Sequence, residues 1–106
     1  MSSLRAKSRK PTHPGETLRE DVLPALGLTQ GELAKHLRVS RRTISEILHE
    51  RRPLTPDMAL RLAHFLGTTP ESWLNMQQAL DLWELEKKYA SVYKAVERAA
   101  SQVDAR

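Results

Sequence analysis

No cysteine occurs in the sequence, which removes disulfides and thiolate metal sites and fits a reducing compartment. No run of about 18 apolar residues is present. The first ten residues, MSSLRAKSRK, lack the apolar core of an export signal. A cytoplasmic protein with no membrane partner is expected. There is one phenylalanine and no alternating β-branched run, so nothing favours a sheet, and a chain rich in alanine, leucine and charge is expected to be all-α. The four glycines stand alone, which excludes a glycine-rich phosphate loop. His13, His36, His49 and His64 form no i, i+4 pair around a glutamate and no cluster at metal spacing. His36 lies within, and His49 directly after, the segment described next, as phosphate contacts or as solvated side chains. A Ser-x-x-Lys match at Ser91 and Lys94 lacks companion motifs and is a coincidence on a helix. No metal, cofactor or catalysis is expected.

What is present starts with TQGELAKHLRVSRRTISEIL, residues 29–48. Thr29 is suited to cap a helix, and Glu32 three residues later completes a capping box. Leu33, Ala34 and Leu37 make the apolar face of a helix about two turns long. Arg38 and Val39 form a turn. Ser40 then caps a second helix, with Ile44, Ile47 and Leu48 inward and Arg41, Arg42, Thr43, Ser45 and Glu46 toward water. Two short helices over a three- or four-residue turn make a helix-turn-helix, whose second helix fits the major groove of DNA.

Charge supports that reading. The net charge of +4 is unevenly distributed. Arg5, Lys7, Arg9 and Lys10 stand without any acid in residues 1–13. Residues 29–53 set Lys35, Arg38, Arg41, Arg42, Arg51 and Arg52 against Glu32, Glu46 and Glu50. Residues 14–28 and 54–85 are net acidic, so positive charge gathers on the units expected to face DNA. On this basis Gln30, Ser40 and Thr43 are expected to contact phosphate, with Arg38, Arg51 and Arg52 adding to the DNA-binding set. Arg41 and Arg42 are long enough for base edges, with Ser45 one turn further on the same face. Pure backbone binding by the two arginines remains the alternative.

The segment resembles the helix-turn-helix of the phage-repressor (Xre-like) family, with its Thr-Gln, Glu-Leu-Ala, Ser cap and following isoleucine. It departs in the turn, where relatives often carry glycine and this chain has Arg38, at a cost of about 1–2 kcal/mol for a left-handed conformation. HPGETLREDVLPALGLTQ and LTPDMALRLAHFLGTTPESWLNMQ extend the match over residues 13–85, about two thirds of the chain, and resemble HigA-type antitoxins. The resemblance implies a five-helix phage-repressor-like domain, a double-stranded DNA operator, autorepression and a RelE-like ribonuclease of the HigB type as toxin partner. A stand-alone regulator without a toxin is the alternative, and a small hydrolase has no residues to support it.

Around this centre, residues 1–12 look like a basic arm, either a solvated tail or an addition to DNA contacts. The first helix is expected near Pro14 or Gly15, burying Leu18 and Val22 and ended by Pro24. Thr55–Pro56 and Thr69–Pro70 open two more helices, with Gly67 closing the former. Met58, Ala59, Leu62, Ala63 and Leu66 face inward on one, and Trp73, Leu74, Met76, Gln77, Leu80 and Trp83 follow on the other. Leu82, Leu85, Tyr89, Val92, Val96, Ala99 and Val103 then repeat at spacings of 3 and 4, which predicts an extended C-terminal helix with a narrow seam over 86–106. That seam either meets a partner or folds back on its own subunit. A homodimer through Trp83, Leu85 and Tyr89 is expected, since one such unit covers half a site. For a basic toxin, the acidic surface carrying Glu16, Glu20 and Asp21 is the expected contact.

Overall fold

The computed structural model describes residues 9–99, and every regular element among them is helical. Helix α1 is made of three consecutive segments, Pro14–Thr17, a π turn over Leu18–Val22, and Leu23–Leu26. His13 caps it in extended backbone, its Nδ1 accepting from the Gly15 N–H at 2.8 Å, in the place usually filled by Ser or Asp. Pro24 does not end α1, contrary to the sequence expectation. The π turn carries the Leu23 N–H back to the Leu18 carbonyl, and the wider backbone there accommodates a proline ring that a regular turn would crowd. The helix stops instead at Gly27, at φ 66°, with the Leu28 N–H closing on the Leu23 carbonyl at 3.2 Å.

Helices α2 (Gln30–Leu37) and α3 (Arg41–Leu48) follow, then α4 (Pro56–Leu66) and α5 (Pro70–Lys88). Each begins at the cap the sequence supplies. Both bonds of the Thr29–Glu32 capping box form, and Ser40, Thr55 and Thr69 each accept from the N–H three residues on. Pro56 and Pro70 stand where a missing N–H costs nothing.

One core joins these helices. Leu18 of α1, Leu33, Ala34 and Leu37 of α2, Ile44, Ile47 and Leu48 of α3, Met58, Ala59 and Leu62 of α4 and Trp73 of α5 are all buried in it. Val22, expected inside, is only half-buried against this cluster. Gly15 is required where α1 crosses the end of α3, because a Cβ there would overlap the Ile47 carbonyl. The loop after α3 is pinned from α5: buried Gln77 accepts from the Leu54 N–H at 2.9 Å while its amide donates to Asp81.

The C-terminal seam is not one continuous helix. It is interrupted at Tyr89 (φ −117°, ψ 31°), and the short α6 (Ala90–Ala95) ends at extended Val96. Ala99 lies beyond the helix; Val103 and residues 1–8 of the basic arm lie outside the described residues. A seven-residue period specifies which side chains share a face, but supplies no core contact to hold the backbone helical, and none of α6 is buried.

Candidate nucleic-acid interface

The candidate interface centres on α3, and two arginines from other helices hold the turns at its ends. Arg38 and Glu50 are the non-glycine residues with positive φ among the described residues, both at 60°. Each ends a helix of the motif with a bond reaching five residues back, Val39 N–H to the Ala34 carbonyl and Arg51 N–H to the Glu46 carbonyl. At the first turn, Arg61 of α4 donates to the Leu37 carbonyl at 2.8 Å and the Arg38 carbonyl at 3.3 Å while holding Asp57. At the second, Arg19 of α1 donates to the Leu48 carbonyl and pairs with Glu50 at 3.4 Å. The guanidinium of Arg19 is held above its ordinary value, first by its hydrogen bond to Glu20 and then by Glu50. Helix-end carbonyls left without intrahelical partners thus receive charged donors, and the strained turns are held from outside. Sequence reading missed both arginines, because their partners lie 24 and 29 residues away.

Electrostatics single out the start of α3. Helices α1, α2, α4 and α5 each carry an acid in the first turn, Glu16, Glu32, Asp57 and Glu71. Helix α3 has none and opens with Arg41 and Arg42. Cations at this end oppose the helix dipole by about 0.3–1 kcal/mol, an arrangement that a polyanion outside would relieve.

The expected site residues are distributed as follows. Ser40 Oγ accepts from the Thr43 N–H at 3.0 Å and lies 2.9 Å from Thr43 Oγ1, so the two hydroxyls already engage each other at the helix start. Arg41 is exposed and makes no hydrogen bond or ion pair among the described residues. Its stem runs beside the first turn of α2, where a Cβ added at Gly31 would sit 3.9 Å from its Cδ. The first turn of α2, where Gln30 is half-buried, and the first turn of α3 thereby lie side by side. Arg42 and Arg52 instead converge on Glu46, at 3.1 and 2.6 Å. Glu46 was assigned only to the solvent face from sequence, although its i, i+4 spacing from Arg42 was a visible signal. Ser45 is half-buried and its carbonyl accepts from His49 Nδ1 at 2.8 Å. His36 is not free, stacking on Phe65 of α4 with centroids 4.7 Å apart. Arg51 lines a polar cleft with Arg52, His13, Gln77, Asp81 and Glu84. Leu85 and Tyr89 are exposed at the far end of α5, with Trp83 half-buried beneath the Lys87 ammonium.

Among the described residues no group of histidine and carboxylate side chains is placed to hold a metal, and no helix is long and apolar enough to cross a membrane.

Comparison with known proteins agrees with this geometry. Residues 18–74 match the family model described as helix-turn-helix. Antitoxin HigA-1 of Vibrio cholerae is 39% identical over 93 residues, covering 88% of each chain. An uncharacterised helix-turn-helix transcriptional regulator of Escherichia coli, YbaQ, is 45% identical over 83 residues, 78% of this chain and 74% of that one. Antitoxin GraA, in a structure of its complex with its operator, superposes with a TM-score of 0.80 at 42% identity, over 87% of this chain and 94% of that one. The chain belongs to the Xre-type helix-turn-helix family, on the branch that includes the HigA antitoxins, a family of DNA-binding proteins and not of enzymes.

Proposed function

We propose, from this family membership, that the chain is an operator-binding antitoxin that represses its own operon and neutralises a RelE-like ribonuclease of the HigB type. The observation that carries the DNA half is the acid-free, doubly cationic first turn of α3, beside the first turn of α2 and fixed by the Arg61 and Arg19 clamps. In this reading Arg41 and Arg42 meet base edges, Ser45 follows them, and Gln30, Ser40, Thr43, Arg38, Arg51 and Arg52 meet phosphates. Two copies associate through the exposed apolar end of α5 and α6, where Leu82, Leu85, Tyr89, Val92 and Val96 face solvent with Trp83 beside them. Pairing in this way places two recognition helices on a two-fold operator in the cytoplasm.

The toxin half draws on similarity to HigA-1 and on charge. A basic ribonuclease is attracted to exposed Glu20 and Asp21 on the π turn of α1 and to Glu16 one turn earlier. The test is co-expression with the product of the adjacent gene. Rescue of growth and co-purification of both chains are expected; a freely growing strain and no complex would favour the second reading. That reading, a stand-alone regulator, is supported by the similarity to YbaQ, which is higher in identity, 45%, over a shorter stretch of 83 residues.

A further inference from the structure

The arginines at the start of α3 differ in one respect that bears on sequence specificity. Arg41 is unpartnered among the described residues, whereas Arg42 donates from Nε to Glu46 Oε2 at 3.1 Å. The other carboxylate oxygen, Oε1, is held by Arg52 Nη2 at 2.6 Å from the following loop. Glu46 is the enclosed member of this trio, its side chain 26% exposed against 85% for Arg42 and 44% for Arg52. The two arginines also hold its carboxyl below the ordinary carboxylate range, Arg42 contributing most. The carboxylate therefore remains charged near neutrality.

The choice of atoms is informative. A guanidinium recognises guanine O6 and N7 with two parallel N–H donors. Glu46 takes Nε, the donor nearest the stem, and leaves the Nη1–Nη2 edge of this highly exposed side chain without a partner among the described residues. A carboxylate on that outer edge would block base recognition; on Nε it fixes the plane of the fork without using the edge that reads. Fixing the plane reduces the ordering cost on binding and confines the fork to one base pair. We infer that Glu46, steadied by Arg52, is a specificity-determining positioning residue that aims the outer edge of Arg42 at a guanine in each half-site. This rests on the reading of Arg42 as a base-contacting residue, and it gives Arg52 a duty besides phosphate contact.

The experiment uses the full chain and a duplex consensus selected by it from a randomised library. Affinity is measured for that consensus, for each single-base variant of one half-site and for an unrelated duplex of equal length. Wild type, Arg42→Ala, Glu46→Gln, Arg52→Ala and Arg42→Ala/Glu46→Gln are compared, with circular dichroism confirming that each folds. Arg42→Ala is expected to lose about five-fold or more of discrimination at one base pair. Glu46→Gln should lose discrimination several-fold at that same pair, while unrelated duplex binds as well or better because a negative charge is gone. Arg52→Ala should show a weaker form of the Glu46→Gln pattern, and Glu46→Gln should add nothing once Arg42 is absent. Retention of full discrimination by Glu46→Gln, while Arg42→Ala loses it, overturns the positioning role alone. Loss at a different base pair in both Arg42 backgrounds overturns it too, since Glu46 would then read a base itself. A flat profile for Arg42→Ala overturns the base reading and the positioning role together.

Discussion

The two ends of the molecule use apolar side chains in opposite ways. In α1 to α4, Leu18, Leu33, Ile44, Ile47, Leu48 and Leu62 are 0–2% exposed, and the surface above them is charged. Along the second half of α5 and through α6 to its cap, Leu82, Leu85, Val92, Tyr93 and Val96 are 43–69% exposed, Tyr93 lying edge-on to Tyr89. The first end is closed by its own contacts and carries a cationic face; the second presents an apolar face that is exposed among the described residues. Stability is therefore concentrated in the helix-turn-helix and its flanking helices, whereas the far end is where the proposed association would bury apolar surface.

Paired substitutions at the two ends separate these roles most strongly. Leu48→Ala should cost about 2–5 kcal/mol of unfolding free energy by leaving a cavity in the core. Leu85→Ala should cost under about 0.5 kcal/mol at a concentration where the chain is monomeric. Equal losses in urea melts would erase the distinction.

Association is the next largest effect. Light scattering at micromolar concentration should give twice the 12.1 kDa mass of one chain. Leu85→Asp should return it to one chain with the helical signal intact. A wild-type chain that scatters as a monomer would contradict association through this face.

Smaller effects sharpen the account of how α3 is held. Removing the clamp with Arg61→Ala should cost about 1–2 kcal/mol, because the Leu37 and Arg38 carbonyls lose a charged donor at a strained turn. A change within about 0.5 kcal/mol would show that the turn holds itself. Smallest is the Glu46 titration. Its carboxyl should titrate below the ordinary range by NMR, rising with Arg42→Ala and less with Arg52→Ala. Because the folded value is depressed, any stabilisation by this trio is present above the ordinary carboxylate range and is lost as pH falls through the folded value. An unshifted Glu46 would mean that the two arginines do not hold it in solution.

How much of this was legible in the sequence depends on the range of the interaction. Thr29 with Glu32, Ser40, Thr55 with Pro56 and Thr69 with Pro70 announce helix starts because a cap and its partner lie within four residues. The inward faces of α2 to α4 follow equally from local period. Pro24 misled because the π turn that accommodates it leaves no mark in residue preference. His13 was passed over because imidazole is an uncommon cap, although its place just before Pro14 was a usable sign. Arg19 and Arg61 could not be found, since their targets are backbone carbonyls brought near only by folding. In the tail the heptad spacing was real, but periodicity without buried contacts did not carry the helix past Tyr89 and Val96. The Arg42–Glu46–Arg52 trio was half visible, through the i, i+4 pair, and half hidden in the loop.

The central claim is that the cationic first turn of α3 reads DNA, and Arg41 tests it most directly because nothing in the described chain holds it. Arg41→Ala should leave the fold unharmed or stabilise it by about 0.3–1 kcal/mol, by relieving the helix dipole. Its affinity for the selected consensus duplex should fall by about 1–3 kcal/mol, with the loss concentrated at one base pair per half-site. Arg51→Ala should instead weaken all duplexes about equally and flatten the salt dependence by about one unit per chain. A position-by-position binding profile for Arg41→Ala that falls uniformly across every sequence, as that of Arg51→Ala should, would contradict base reading by α3.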